Sequence, residues 1–193
     1  WEYNGFTQAW TQASPVHSPG GRVYATMAYD SGRQRIVVFG GADDNFVTMP
    51  DVFWEYDGVD WTSVAPTTAP GAAQGHVMTY DAARQRVVLQ GGRNSAGFRI
   101  GTWEYDGVHC YYFNAETTPA PGNWLSAMTY DWGRGRTILF GGYDTGFSRN
   151  GDTWERDPAM PGFAVFGSGC PSSAGTAEVS AQSLPVIGST FTL

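Results

Sequence analysis

The stretch Thr26-Met27-Ala28-Tyr29-Asp30-Ser31-Gly32-Arg33-Gln34-Arg35-Ile36-Val37-Val38-Phe39-Gly40-Gly41, with Trp54-Glu55-Tyr56-Asp57-Gly58 after it, decides the fold. Its first part alternates into Tyr29-Asp30, the period-two pattern of a strand. Ser31 to Gln34 reads as a tight turn, and an Asp at its entrance can accept backbone N–H groups. Arg35 opens a second strand, and the unbroken apolar run Ile36 to Phe39 is what a strand buried on both faces needs. Gly40-Gly41 then allows torsions or close approaches that a Cβ would block. Asp57-Gly58, between Trp54-Glu55-Tyr56 and Trp61, is a hairpin signal. The segment therefore predicts four short antiparallel strands joined by two tight turns and one longer loop.

The same pattern recurs along the chain. Trp-Glu-Tyr stands at Trp1, Trp54 and Trp103, and Trp-Glu-Arg at Trp154. Tyr-Asp stands at Tyr29, Tyr80 and Tyr130, and Gly-Gly at Gly40-Gly41, Gly91-Gly92 and Gly141-Gly142. Each marker repeats at a step of about 50 residues in one fixed order, which marks a repeat architecture. The second strands read Val87-Val88-Leu89 and Thr137 to Phe140, and Pro/Thr/Ala/Gly linkers (Ala65 to Gly71, Thr117 to Gly122) separate the units. No segment has helical periodicity. The recurring Trp is expected to pack between neighbouring sheets.

This order of markers resembles the kelch motif of β-propellers, in bacterial secreted form, over roughly residues 1–160. The resemblance implies one four-stranded blade per unit, with the first strand innermost and the loops on two faces around an axis. Residues 1–13 supply two strands, 22–65 and 74–115 four each, and 125–157 three. Closed propellers use about four to eight blades. The expectation is thus an all-β arc of about three to four blades, incomplete or completed by another chain. The chain starts at Trp1 within a motif and stops at Phe191-Thr192-Leu193, like the start of a strand, so it reads as a piece of a longer polypeptide. Residues 161–193 carry no marker and read as a linker and the start of a C-terminal β segment. They resemble the small β modules on secreted proteins of planctomycete-like bacteria. Alternatively, Phe163 to Phe166 completes the last blade.

Composition narrows the function classes. The formal net charge is −7, and every cation among the 11 Lys and Arg is an arginine, scattered along the chain. That excludes the basic stripe a nucleic-acid binder needs. No run approaches the roughly eighteen apolar residues of a membrane span. Cys110 and Cys170 match no zinc or redox spacing, leaving two free thiols or one long-range disulfide. His17, His76 and His109 sit at no ligand spacing, so no metal or cofactor is expected.

The glutamates after each Trp (Glu2, Glu55, Glu104, Glu155) repeat in register. Acid–base pairs need unlike environments, so these read as partners for the recurring arginines. Asp30, Asp81 and Asp131 read as turn caps. The tyrosine, cysteine and histidine set of copper-radical oxidases is not reproduced, and sialidase Asp boxes, nucleophile elbows and phosphate loops are absent.

The loops between second and third strands differ while the scaffold repeats, and function sits in such loops. They carry the candidate ligand or partner residues Asp43, Asp44 and Phe46, then Arg93, Asn94, Phe98 and Arg99, then Tyr143, Asp144, Phe147 and Arg149. Aromatic and Arg side chains are common interface anchors. Asp43, Asp44 and Asp51 are either solvated carboxylates or calcium ligands. The loops should share one face with the Pro-rich linkers, and the arc ends should present a second contact zone. The expected function is non-catalytic recognition or scaffolding of protein or glycan outside the cell. Two other readings stand: a non-catalytic slice of a carbohydrate-active or oxidase-type enzyme, and a structural subunit of an extracellular assembly.

Overall fold

The computed structural model describes residues 1–48, 50–99, 101–113, 123–156 and 163–167. All regular structure among them is strand. A hairpin, β1 (Glu2–Asn4) and β2 (Ala9–Thr11), precedes three four-stranded antiparallel sheets. The first sheet is β3 (Thr26–Asp30), β4 (Arg35–Phe39), β5 (Phe53–Tyr56) and β6 (Trp61–Val64). The second is β7 (Val77–Asp81), β8 (Arg86–Gln90), β11 (Thr102–Tyr105) and β12 (Cys110–Phe113). Its long loop carries a ribbon of β9 (Arg93–Asn94) and β10 (Gly97–Phe98). The third is β13 (Ala127–Asp131), β14 (Arg136–Phe140), β15 (Thr153–Arg156) and β16 (Phe163–Gly167).

Register repeats with sequence. Asp30, Asp81 and Asp131 pair with Arg35, Arg86 and Arg136, and Trp54, Trp103 and Trp154 pair with Val38, Leu89 and Leu139. β16 completes the third sheet, so that sheet runs past residue 160, where the markers stop. Fourth strands share only an aromatic, which is why the markers do not reach it. The planctomycete-like stretch from Gly169 and the linker 117–122 lie outside the described residues.

Three sets of contacts turn separate sheets into an arc. First strands lie side by side, β7 between β3 and β13. Along their entrances runs a belt of backbone bonds: Gly75 N–H donates to the Tyr24 carbonyl (2.9 Å) and Leu125 N–H to the Gly75 carbonyl (2.8 Å). Tyr24, Gly75 and Leu125 all hold left-handed torsions, with φ of 57°, 64° and 58°. The glycine pairs make the second set. Gly41 and Gly92 donate to the carbonyls of Ala73 and Asn123 in the next linker, at 2.9 Å each. A Cβ on Gly40 or Gly91 would collide with those same carbonyls, so the pair lets one sheet's loop lie against its neighbour's linker. In the third set a Tyr hydroxyl caps the previous sheet's tight turn. Tyr80 accepts from Gly32 N–H (3.2 Å) and Tyr130 from Ala83 N–H (3.1 Å).

The core follows these seams. Val37, Phe39, Phe53, Met78, Tyr80, Val87, Leu89, Tyr105 and Cys110 form one buried cluster spanning the first two sheets, with Trp103 against it. A smaller one joins Val77 and Leu139, with Trp154 against it. Equivalent residues at the arc's ends are uncovered. Met27 is 68% exposed where Met78 is 7%, Tyr29 57% where Tyr80 is 5%, and Phe140 52% where Phe39 is 1%.

Candidate functional site

Antiparallel order sends the second-to-third-strand loops and the linkers to the same end. Short bridges confirm it: Val23 pairs with Ala42, Gln74 with Arg93, and Trp124 with Tyr143. The tight turns, including Asp57-Gly58 and Asp106-Gly107, occupy the other end.

Two loops share one design. In the first sheet Asp43 Oδ1 accepts from the N–H groups of Asn45 and Val47, both at 2.9 Å. In the third, Asp144 Oδ1 accepts from Gly146 and Ser148, both at 2.8 Å. Each places a Phe in the left-handed region, Phe46 at 60° and Phe147 at 58°. The strained Phe is held there by this cap and projects into solvent. The spacing Asp-x-x-Phe in both loops is the sequence signal for this design. The second sheet's loop departs from it. Arg99 N–H donates to the Gly92 carbonyl (2.8 Å) and closes the β9–β10 ribbon, while Asn94 Oδ1 takes Ala96 N–H (2.9 Å).

The structure brings together four of the residues singled out from sequence. Arg93 lies within cation–π distance of three rings: Trp124 at 5.3 Å, Phe147 at 5.4 Å and Phe98 at 5.7 Å. Phe98 meets Phe147 edge-on at 5.3 Å, and Tyr143 lies 5.9 Å from Trp124. The cluster bridges the second and third sheets. Phe46 sits apart, 6.1 Å from Tyr24, with exposed Asp44 beside it, and Arg149 is exposed on its own loop. Trp124 and Tyr24 were not singled out. Both belong to linkers, just ahead of the first-strand markers, and only the fold brings linkers to the loops.

Phe98, Arg99, Trp103 and Tyr112 also line an open groove of about 480 Å³ on the second sheet. Arg99 packs over Gly71. The Asp51 carboxylate accepts from Gly71 N–H at 3.0 Å, and burial pushes its pKa up against the pull of that bond and of Arg99. Asp43 and Asp51 thus serve separate backbone groups. Deeper in the same seam, His76 is fully buried, its Nε2 2.7 Å from Thr26 Oγ1, and burial lowers its pKa to about 4. Burial pushes the Cys110 thiol up to about 12; it is free, and Cys170 lies outside the described residues.

The recurring glutamates are occupied at the tight-turn end. Glu55 Oε1 accepts from Arg33 (2.6 Å) and, across the seam, from the Tyr105 hydroxyl (2.8 Å). Glu2 accepts from Tyr56 in the same way (2.9 Å), which puts the β1–β2 hairpin in the place of third and fourth strands. Glu104 pairs with Arg84 and with Arg156 of the next sheet, and Glu155 with Arg134 and Arg136.

No family model and no curated protein matches this chain. Among solved structures it is similar to that of YjhT, at 14% identity and a TM-score of 0.64, over 84% of this chain and 50% of that one. The chain therefore spans half the length of that structure, and the likeness shows the fold: an incomplete β-propeller arc.

Proposed function

We propose that this arc is a non-catalytic recognition and scaffold segment of kelch type, working outside the cell, that binds a protein or glycan through its loop face. One observation carries the reading. The loop face gathers Arg93, Phe98, Trp124 and Phe147 into a ledge with Phe147 exposed. The carboxylates of the other face are spent on arginines and on the neighbouring sheet. Aromatic rings around a guanidinium supply contact area at low ordering cost, which suits a protein or glycan surface. The end faces, with Met27 and Tyr29 on one side and Phe140 on the other, suit contact with further blades, in the same polypeptide or another copy.

The test is binding to an immobilised glycan panel and peptide library. Phe147→Ala should weaken whatever the wild type binds about tenfold, or ~1.4 kcal/mol. Val108→Ser, on an exposed tight turn, should leave it unchanged. Binding lost in the Val108 variant and kept in the Phe147 variant sinks the proposal. So does glycan turnover abolished by one carboxylate substitution.

A further inference from the structure

The second sheet differs from its neighbours in its outer strand pair as well as in its loop. In the register of β11 and β12 Trp103 is paired with Tyr112, where Trp54 is paired with Ser63 and Trp154 with Val165. The two rings stand 5.0 Å apart at 49°, and Tyr112 lies on Gly101, where a Cβ would strike its ring. The β9–β10 ribbon adds Phe98 to the lining of the groove.

The polar lining is one-sided. Among the described residues, the Trp103 indole N–H, the Tyr112 hydroxyl and the Arg99 guanidinium make no hydrogen bond, and the Arg99 charge acts on the Asp51 carboxylate. Indole and guanidinium groups donate and do not accept. The groove's amide is already used at both ends, Asn94 Oδ1 by Ala96 N–H and Nδ2 by the Ala72 carbonyl (3.0 Å). The complementary ligand is rich in acceptors, poor in donors, and has rigid apolar faces to lie on rings. A saccharide brings a donor with every hydroxyl, and this lining has few acceptors for them. Proline residues present a carbonyl, no N–H and a flat apolar ring, and their chain is already extended, so little ordering entropy is lost on docking.

We propose that this groove binds a proline-rich segment of a partner protein in polyproline II form. The inference rests on the reading of the loop face as a recognition surface and assigns one ligand class to one part of it. The probe is decaproline, titrated into the whole chain and followed by tryptophan fluorescence and amide chemical shifts. Saturable binding is expected, weakened about fivefold or more by Tyr112→Ala and by Phe98→Ala, the scale of losing one stacked ring. Tyr112 is half exposed, and a melting curve checks that its variant stays folded. Val108→Ser, on the exposed tight-turn face, should leave decaproline affinity unchanged, which ties binding to the groove. Absence of saturation, equal affinity in the Tyr112 variant, or cellohexaose saturating the same residues in its place overturns the proposal. Loss of glycan or peptide binding in the Phe147 variant alone would then leave the broader reading standing.

Discussion

The seam between the first and second sheets and the seam between the second and third use the same repeat positions and opposite chemistry. In the first, a file of rings runs outward from the first strand. His76 meets Phe39 edge-on at 5.4 Å, Phe39 meets Phe53 at 4.4 Å, and Phe53 stacks on Tyr105 at 4.1 Å. In the second, Ser126, Gln90, Thr102 and Arg156 stand at those four positions. Thr102 donates to Gln90 Oε1 at 2.6 Å, and Arg156 pairs with Glu104 and lies 5.6 Å from the Phe113 ring. Gln90, Thr102 and Arg156 are as buried as the rings they replace. The first seam is stabilised by apolar area, and tolerates no loss of volume. The second depends on every polar group keeping its partner. That both close to the same geometry teaches that the glycine pairs, the tyrosine caps and the backbone belt set the spacing. The side chains between them fill a gap whose width is already fixed.

The comparison breaks first at the glutamates. Glu104→Ala removes the carboxylate that Arg84 and Arg156 share in a buried site, and should cost about 3–5 kcal/mol of unfolding free energy. Glu55→Ala should cost about 1–3 kcal/mol, because Arg33 keeps Asp30 at 2.8 Å and the Tyr105 hydroxyl keeps the Gly107 carbonyl at 3.0 Å. Denaturant unfolding of both variants decides it, and equal costs would refute the contrast.

The next difference is in pH. Burial lowers the folded pKa of His76 to about 4, below the ordinary value of 6.5. Between those values the unfolded chain binds a proton that the folded one does not. His76 therefore gives its full stability above pH 6.5, and roughly 3 kcal/mol of it is lost as pH falls to about 4. His76→Ser, which copies the second seam, should flatten that part of the profile. An identical profile in both proteins would remove the histidine's role. The smallest effect tests the caps: Tyr80→Phe and Tyr130→Phe each strip an acceptor from a turn amide and should cost about 1 kcal/mol. Tyr29→Phe, exposed at the arc's end, should cost almost nothing in calorimetry.

The strands and the side on which the loops emerge were legible, because markers in phase constrain one another. Asp30, Tyr29 and Gly40-Gly41 each say little alone; repeated at one spacing they define a unit. β16 was only an alternative, since Phe163–Gly167 has no marker and Arg156 stands where a tyrosine was due. That arginine was legible as a departure but not as a seam residue, because its partner Glu104 belongs to another sheet. The loop candidates were found by their variability, yet their grouping was not foreseen. Arg93 meets Trp124 and Phe147 across a seam, and nothing in the local sequence of any of the three announces the others. The roles of Asp43 and Asp144 as caps were present in their common spacing to Phe46 and Phe147.

The belt through Tyr24, Gly75 and Leu125 has a direction, each link giving an N–H one way and a carbonyl the other. A unit inserted whole brings one donor and one acceptor, so the belt is extended without a mismatch. A single residue inserted in a linker shifts the register and leaves one link at each side unmade. Lengthening by duplication is therefore cheap in this architecture, while a small insertion ahead of a first strand is costly. The loops between second and third strands lie outside the belt, and they are free to change length one residue at a time.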